Sequence, residues 1–371
     1  MLAAGGTGGH LFPAFALAQE LARRGIPVDL MTDMRGDRYG TDFPARQIYR
    51  VPSATLKERS VMAAASTAAT LLTGIRTAYR MLGEARPAAV IGFGGYPSFP
   101  PLIAAKLRGI PTALHEQNAV LGRANRLLAR RVSVLATSFP EVKFVDPALK
   151  SACRLTGNPV RDAVMAEADR RYVLPEPQGL FSVLVVGGSQ GARVFSDCVP
   201  AAVALMQEET RRRVRMVQQC REEDLARVRN IYDELGVTAE LATFFDDLPR
   251  RMASAHLVIA RSGASTVAEL TVLGRPSILV PLPHALDNDQ LQNAKRLAEA
   301  GGTWCIEQKD LSPERLKVEL ERLLHTPEDL FRAALAAKGQ GRPDAVIRLA
   351  DLVEELMGQT ISRPEHARAN G

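Results

Sequence analysis

Aromatic residues are scarce in this chain: one Trp, six Tyr and twelve Phe among 371 residues. Nucleic-acid modules stack bases on aromatic rings or mount helices on zinc, and neither signature is present, so no nucleic-acid partner is expected. Cysteine is equally thin. Cys153, Cys198, Cys220 and Cys305 stand far apart with no CxxC and no neighbouring His pair, which excludes a disulfide scaffold and points to thiols of a reducing compartment. Long apolar runs are missing too. The longest uncharged stretch, Ser60 to Ile75, is 16 residues of mostly Ala, Ser and Thr, short of the ~20 apolar residues a spanning helix needs. Nothing in Met1 to Ala4 resembles a secretion signal, so a cytoplasmic location is expected. That stub is also shorter than the ~5 to 6 residues of an ordinary strand, and the true start is expected a few codons upstream.

What is present is a theme stated twice. Gly5-Gly6-Thr7-Gly8-Gly9 follows a short apolar stub, and Gly187-Gly188-Ser189-Gln190-Gly191 follows the apolar run Phe181 to Val186. Each loop opens a helix with apolar residues near helical spacing: Phe12, Phe15, Ala16, Leu17 and Leu21, then Val194, Val199, Ala202, Val203 and Leu205. Glycine lets backbone N–H groups approach a ligand, and a helix N-terminus adds about half a positive charge, so such loops suit phosphate. The net charge of +6 and a pI near 9.3 likewise favour anionic partners.

Short apolar strands alternate with helical stretches throughout. Val28 to Thr32, Ala88 to Gly92, Thr112 to His115 and Val132 to Ala136 read as strands of the first half; Val183 to Val186, Arg215 to Gln218, Leu257 to Ala260 and Ser277 to Val280 as those of the second. The expected architecture is α/β, with two doubly wound parallel-sheet domains. Residues 1–158 form the expected first domain and 159–342 the second. A C-terminal helix near 343–358 is expected to pack back onto the first domain, and 359–371 to be a disordered polar tail.

A dinucleotide-binding oxidoreductase is the first alternative, since Asp33 follows the second strand as in that fingerprint. From Gly6, however, the chain reads Gly-Thr-Gly-Gly-His-Leu, which lacks the third glycine. Taken in order, Gly5 to His10, Gly94-Gly95-Tyr96-Pro97-Ser98, His115-Glu116-Gln117-Asn118, Gly157-Asn158-Pro159-Val160-Arg161, Gly187 to Ala192 and Arg261-Ser262-Gly263-Ala264 resemble the MurG family of bacterial N-acetylglucosaminyltransferases, glycosyltransferase family 28. The resemblance spans residues 5 to about 294.

That resemblance implies a GT-B architecture, with two Rossmann-like domains facing a cleft. It implies inverting transfer of N-acetylglucosamine from UDP-N-acetylglucosamine to the 4-hydroxyl of an N-acetylmuramyl-pentapeptide on undecaprenyl diphosphate, without cofactor or metal. It also implies the site. Ala264, Ser265, Thr266, Val267 and Ala268 would open a helix towards the donor, and Glu269 would accept hydrogen bonds from the ribose. The Phe245 backbone would read uracil, Ser189 and Arg161 would face the diphosphate, and Asn118 and Gln290 would contact the sugar. Thr7, Gly8 and Gly9 would close over the reacting groups. His10 would be the catalytic side chain, since an imidazole titrating near ~6.5 can take a hydroxyl proton at neutral pH; it would act as base or as binder. Tyr96 and Glu116 are acceptor-side candidates.

Asp287-Asn288-Asp289 spells the Asp-x-Asp of metal-dependent transferases. It falls in a late loop beside sugar-binding positions, and no metal site is expected there. A lipid acceptor implies a membrane face. Leu72, Ile75, Tyr79 and Leu82 share one side of an expected helix beside Arg76 and Arg80, with Arg123, Arg126, Arg130 and Arg131 further on. Anionic membrane lipid is therefore an expected partner and the cytoplasmic face of the plasma membrane the expected location. Cell-wall and division proteins are further possible partners. A UDP-N-acetylglucosamine epimerase or a diacylglycerol glycosyltransferase of the same fold is the rival enzyme reading, and a non-catalytic membrane scaffold the rival of another class.

Overall fold

The computed structural model describes residues 1–6, 8–33, 43–54, 61–188, 191–283 and 285–361. The chain divides into two compact units, one of Met1–Arg161 joined by the chain from Asp344 onward, the other of Asp162–Pro343.

In the first unit seven strands form one sheet: β1 (Leu2–Ala3), β2 (Asp29–Thr32), β3 (Gln47–Arg50), β4 (Val90–Gly92), β5 (Thr112–Glu116), β6 (Val134–Thr137) and β7 (Cys153–Leu155). Their spatial order is β3-β2-β1-β4-β5-β6-β7, and every pairing is parallel. Although β1 has two residues, it pairs on both sides, Leu2 with Leu30 and with Ile91. Helices cover both faces, so the inner strands are buried front and back and their sequences run apolar without alternation. The order reverses between β1 and β4. At such a switch point the loops after the two strands diverge and leave a crevice beyond their carboxyl ends. The chain leaves β1 there through Ala4 to Gly6, and β4 through Phe93 to Gly95.

The second unit repeats the plan. Here β8 (Phe181–Val186), β9 (Val214–Gln219), β10 (Thr238–Ala242), β11 (Leu257–Ala260), β12 (Ser277–Leu279) and β13 (Thr303–Cys305) lie in the order β10-β9-β8-β11-β12-β13, again all parallel. Its reversal lies between β8 and β11. The chain leaves β8 there through Gly187 and Gly188, and β11 through Arg261 to Gly263.

The helix Ala345–Ile361 packs on the helix Gly8–Arg23. Leu349, Leu352, Val353 and Leu356 share a core with Leu11, Leu17 and Leu21. Arg24 extends the contact, reaching Glu20 in its own segment and Asp351 and Glu354 across it. Because this helix runs to Ile361, residues 359–361 are helical rather than tail, and the rest of the expected tail lies outside the described residues.

The expected membrane stripe is divided by the structure. Within the helix Val61–Ala85, Leu72 and Tyr79 are exposed at 66% and 42%, whereas Leu82 is 1% exposed. Leu82 belongs to the core with Ala78, Val90, Leu102 and Ala105, and Ile75 is half-buried against it. The cause is close packing on the helix Phe99–Leu107 and on the chain after β3. A Cβ on Gly74 would stand 2.1 Å from the Pro52 carbonyl oxygen. Leu82 is thus a core residue and not part of a membrane face. Among the described residues no helix is long and apolar enough to cross a membrane.

Candidate active site

At the switch point of the first unit, His10 sits in the first turn of its helix, half-buried. Its Nδ1 is 3.0 Å from Gln117 Oε1. Gln117 and His115 are both buried just beyond or within the end of β5. The Gln117 amide nitrogen reaches the Phe93 carbonyl at 2.9 Å, and His115 Nε2 reaches the Gly157 carbonyl at 2.9 Å. Burial pulls the His115 pKa from its ordinary 6.5 down to about 4, so this ring is neutral at physiological pH. Gly94 and Gly95, at φ 88° and 69°, pass the other side of His10. Both conformations are left-handed, which glycine adopts without strain. Tyr96 follows in the turn Tyr96–Ser98 and is half-buried.

Glu116 has a different place from the one expected. Its Oε1 accepts from the Asn118 backbone N–H and side-chain amide, and its Oε2 from the Gly122 N–H and the Asn125 amide. Four donors occupy both oxygens of a buried carboxylate, whose pKa burial raises. Glu116 therefore ties down the segment 118–125, with both of its oxygens already engaged there. Asn118, held by that carboxylate, remains half-buried. Arg161 lies with its guanidinium 4.5 Å over the Phe12 ring, half-buried at the end of the unit.

In the second unit the helix Ala264–Leu273 starts at the switch point, and its N-cap, Gly263, supplies no side-chain hydrogen bond. The N–H groups of its first turn are therefore not capped from that position. Ser265, Thr266 and Ala268 are half-buried along it, and Ala264, Val267 and Glu269 are buried, Glu269 at 6% exposure. Around this turn Arg261, Ser262 and Asn293 have structural side chains. Arg261 donates to the Val280 and Pro281 carbonyls and to Gln308, with burial lowering its pKa. Ser262 Oγ donates to the Gln290 carbonyl, the Asn293 amide donates to the Ser262 carbonyl, and Gln290 Oε1 accepts from the Leu282 N–H. Gln219 joins the ends of β8 and β10: its Oε1 accepts from the Gly187 N–H and its amide donates to the Thr243 carbonyl. Phe245 is buried beneath Arg251, 4.5 Å from ring centre to guanidinium, while Phe244 beside it is exposed.

Gly8 and Gly9 open the first helix beside His10. Thr7 and Ser189 lie outside the described residues. Asp287 and Asn288 take left-handed φ values of 59° and 54° in the turn before the helix Asp289–Glu299. Among the described residues no three His, Cys, Asp or Glu are placed to hold a metal ion. The sequence alone assigns no role to the supporting polar residues His115, Gln117, Gln219, Arg261 and Asn293. For His115, Gln117, Gln219 and Arg261 the signal is a polar residue at, or just beyond, the carboxyl end of a strand, where burial demands a partner; Asn293, inside the helix Asp289–Glu299, carries no such signal.

Comparison with known proteins agrees with both halves of this picture. The glycosyltransferase family 28 N-terminal domain matches residues 1–137, and the family's C-terminal domain matches residues 182–349. The chain is 55% identical over 357 residues to the UDP-N-acetylglucosamine–N-acetylmuramyl-(pentapeptide) pyrophosphoryl-undecaprenol N-acetylglucosamine transferase of Methylobacterium sp. (strain 4-46), covering 96% of each. It is 53% identical over 358 residues to the protein of the same name from Rhodopseudomonas palustris (strain BisB18), again covering 96% of each. The crystal structure of Acinetobacter baumannii MurG aligns with a TM-score of 0.78 at 29% identity, over 96% of this chain and 98% of that one. With 96% of its length aligned and both domains matched, the chain belongs to glycosyltransferase family 28, in the MurG group.

Proposed function

We propose that the protein transfers N-acetylglucosamine from UDP-N-acetylglucosamine to the 4-hydroxyl of N-acetylmuramyl-pentapeptide on undecaprenyl diphosphate, with inversion. The observation that carries this reading is identity above one half, over nearly the whole chain, with relatives named for that activity. A shared fold alone would not require it.

In this reading the acceptor oxygen attacks the anomeric carbon as the His10 imidazole takes its proton, and the bond from that carbon to UDP breaks on the opposite face. The α-linked donor becomes a β-linked product in one displacement, and UDP leaves with the electron pair. The departing diphosphate is stabilised by Arg161, a charged hydrogen bond worth about 1.5 to 3 kcal/mol, by Ser189, and by the N–H groups opening the helix at Ala264. Glu269 accepts from the ribose hydroxyls, the Phe245 backbone reads the uracil, and Asn118 and Gln290 turn their amides to the sugar. Gly8 and Gly9, with Thr7, close over the reacting groups, and Tyr96 lies on the acceptor side. Leu72 and Tyr79, with exposed Arg76, Arg80, Arg123, Arg130 and Arg131, meet the anionic cytoplasmic leaflet.

The test is UDP release from UDP-N-acetylglucosamine with and without a lipid-linked N-acetylmuramyl-pentapeptide analogue. Release only on adding the acceptor is expected. Release without it, or conversion of the donor to its epimer, refutes the assignment.

A further inference from the structure

A hydrogen bond between a histidine and an amide leaves the proton's position open until the amide's orientation is known. Here the orientation is forced. The Gln117 side-chain nitrogen is 2.9 Å from the Phe93 carbonyl oxygen and 3.0 Å from the His115 carbonyl oxygen. Backbone carbonyls only accept, so the amide must present its NH₂ to them and its oxygen to His10. The reverse orientation would set oxygen against oxygen twice in a buried place.

The inner histidine agrees. With its Nε2 donating to the Gly157 carbonyl and its ring kept neutral by burial, His115 has a bare Nδ1, and Gln117 Nε2 lies 3.0 Å from it. One amide hydrogen goes to the Phe93 carbonyl and the other is shared between the His115 carbonyl and its Nδ1, so every bond from His10 to Gly157 donates in one direction, and three carbonyls that cannot donate fix it. His10 must then carry its proton on Nδ1. Its Nε2 is left with a lone pair. A Cβ on Gly95 would stand 3.3 Å from that nitrogen, and one on Gly94 would stand 3.4 Å from the neighbouring Cε1. The glycine pair keeps this edge of the ring open.

We propose that Gln117, oriented by Phe93 and His115, is a positioning residue that holds His10 in its Nδ1–H form and so makes Nε2 the atom that takes the acceptor hydroxyl's proton. The proposal rests on the reading of His10 as the base. Being buried, Gln117 acts through His10 and not on substrate. A neutral amide also differs in kind from a carboxylate at this place: it selects the tautomer without adding a negative charge that would hold the imidazolium after the proton arrives.

The ¹⁵N spectrum of histidine-labelled full-length protein tests it, because protonated and bare ring nitrogens resonate apart; His10→Ala identifies the signals. His10 is expected to show a protonated Nδ1 and a bare Nε2. In Gln117→Met, similar in volume but unable to accept at that place, the two tautomers should mix. Its kcat should fall by about 10- to 100-fold, the scale of losing an orienting partner, with KM for UDP-N-acetylglucosamine unchanged. A proton on Nε2 in the wild-type spectrum, or wild-type kcat in Gln117→Met, overturns the proposal. Should that variant fail to fold, the wild-type spectrum decides alone. The two failures separate: a wrong tautomer overturns the positioning role whatever the reaction, whereas an active His10→Ala protein overturns the base reading, and this inference with it, while the tautomer stands.

Discussion

Two leucines ten residues apart on the helix Val61–Ala85 should behave as different kinds of residue. Leu82 is 1% exposed and packed among Ala78, Val90, Leu102 and Ala105. Truncation to Ala removes its transfer free energy and leaves a cavity that a close-packed helix pair cannot fill, costing about 2 to 5 kcal/mol. For a unit of this size each kcal/mol moves the melting temperature by about 2 to 4 °C, so Leu82→Ala should lower it by roughly 4 to 20 °C. Leu72, 66% exposed, has little packing to lose, and Leu72→Ser should stay within about 0.5 kcal/mol of wild type. On the membrane the order reverses. A leucine entering the acyl boundary contributes up to about 1.5 to 3 kcal/mol, so Leu72→Ser should weaken binding to anionic vesicles by roughly ten- to a hundredfold. Tyr79→Ser should act in the same direction, although Arg108 stacks 3.9 Å from that ring and part of its surface is already covered. Calorimetric scans and vesicle co-sedimentation on the same three proteins decide the matter. A stable Leu82→Ala, or a Leu72→Ser that binds vesicles like wild type, refutes the assignment of the two residues.

Glu269→Ala should weaken UDP binding by about 1.5 to 3 kcal/mol with the fold retained, and unchanged affinity by titration calorimetry would remove Glu269 from the ribose. His10→Ala should lower turnover by about 10² to 10⁴ while UDP affinity stays near wild type; turnover at the wild-type rate would sink its role as base. His115 makes a prediction about pH. Its pKa falls from 6.5 in the ordinary state to about 4 in the folded protein, so between those values the unfolded chain binds a proton that the folded chain does not. Stability should decline on acidification through that window, by on the order of 3 kcal/mol from this group, and level off below it. Urea unfolding of His115→Gln should show a shallower decline between pH 6.5 and pH 4 than wild type, and equal slopes would exclude His115 as a source.

The strands that the sequence reveals and those that it hides differ in position. Every apolar run read as a strand is an inner strand of one of the two sheets. The four without such a run, β3, β7, β10 and β13, are the outer strands of the two orders. An inner parallel strand is covered on both faces and by neighbours on both sides, so it is mostly apolar, although β9 carries Arg215, Gln218 and Gln219. An edge strand keeps only part of that burden: three of the four β3 residues are exposed, and β10 buries only Leu241. The expected membrane stripe divides between surface and core for a related reason. The reading followed large apolar residues, but the centre of the buried face is marked by Gly74 and Ala78, whose small size lets the helix approach its neighbours. Leu72 and Tyr79 stand at the rim of that contact. Spacing identifies a helix face and does not reveal how far its partner covers it.

At the site, residue type and residue role come apart within four consecutive positions. His115, Glu116, Gln117 and Asn118 all have side chains suited to binding a sugar or moving a proton, and nothing in their order ranks them. Hydrogen-bond direction does. Glu116 spends both carboxylate oxygens on the loop 118–125, and His115 spends both ring nitrogens inward on Gly157 and Gln117. Gln117 has its nitrogen committed to Phe93 and its oxygen to His10. An acid, a base and an amide, each plausible as a catalyst when read along the chain, are thereby committed to structure. The group whose outer nitrogen stays open is His10, on another element more than a hundred residues earlier in the chain. The sequence carries the identity of these groups. Which of them stays chemically available depends on which neighbours can only accept, and that is a property of the folded strand ends.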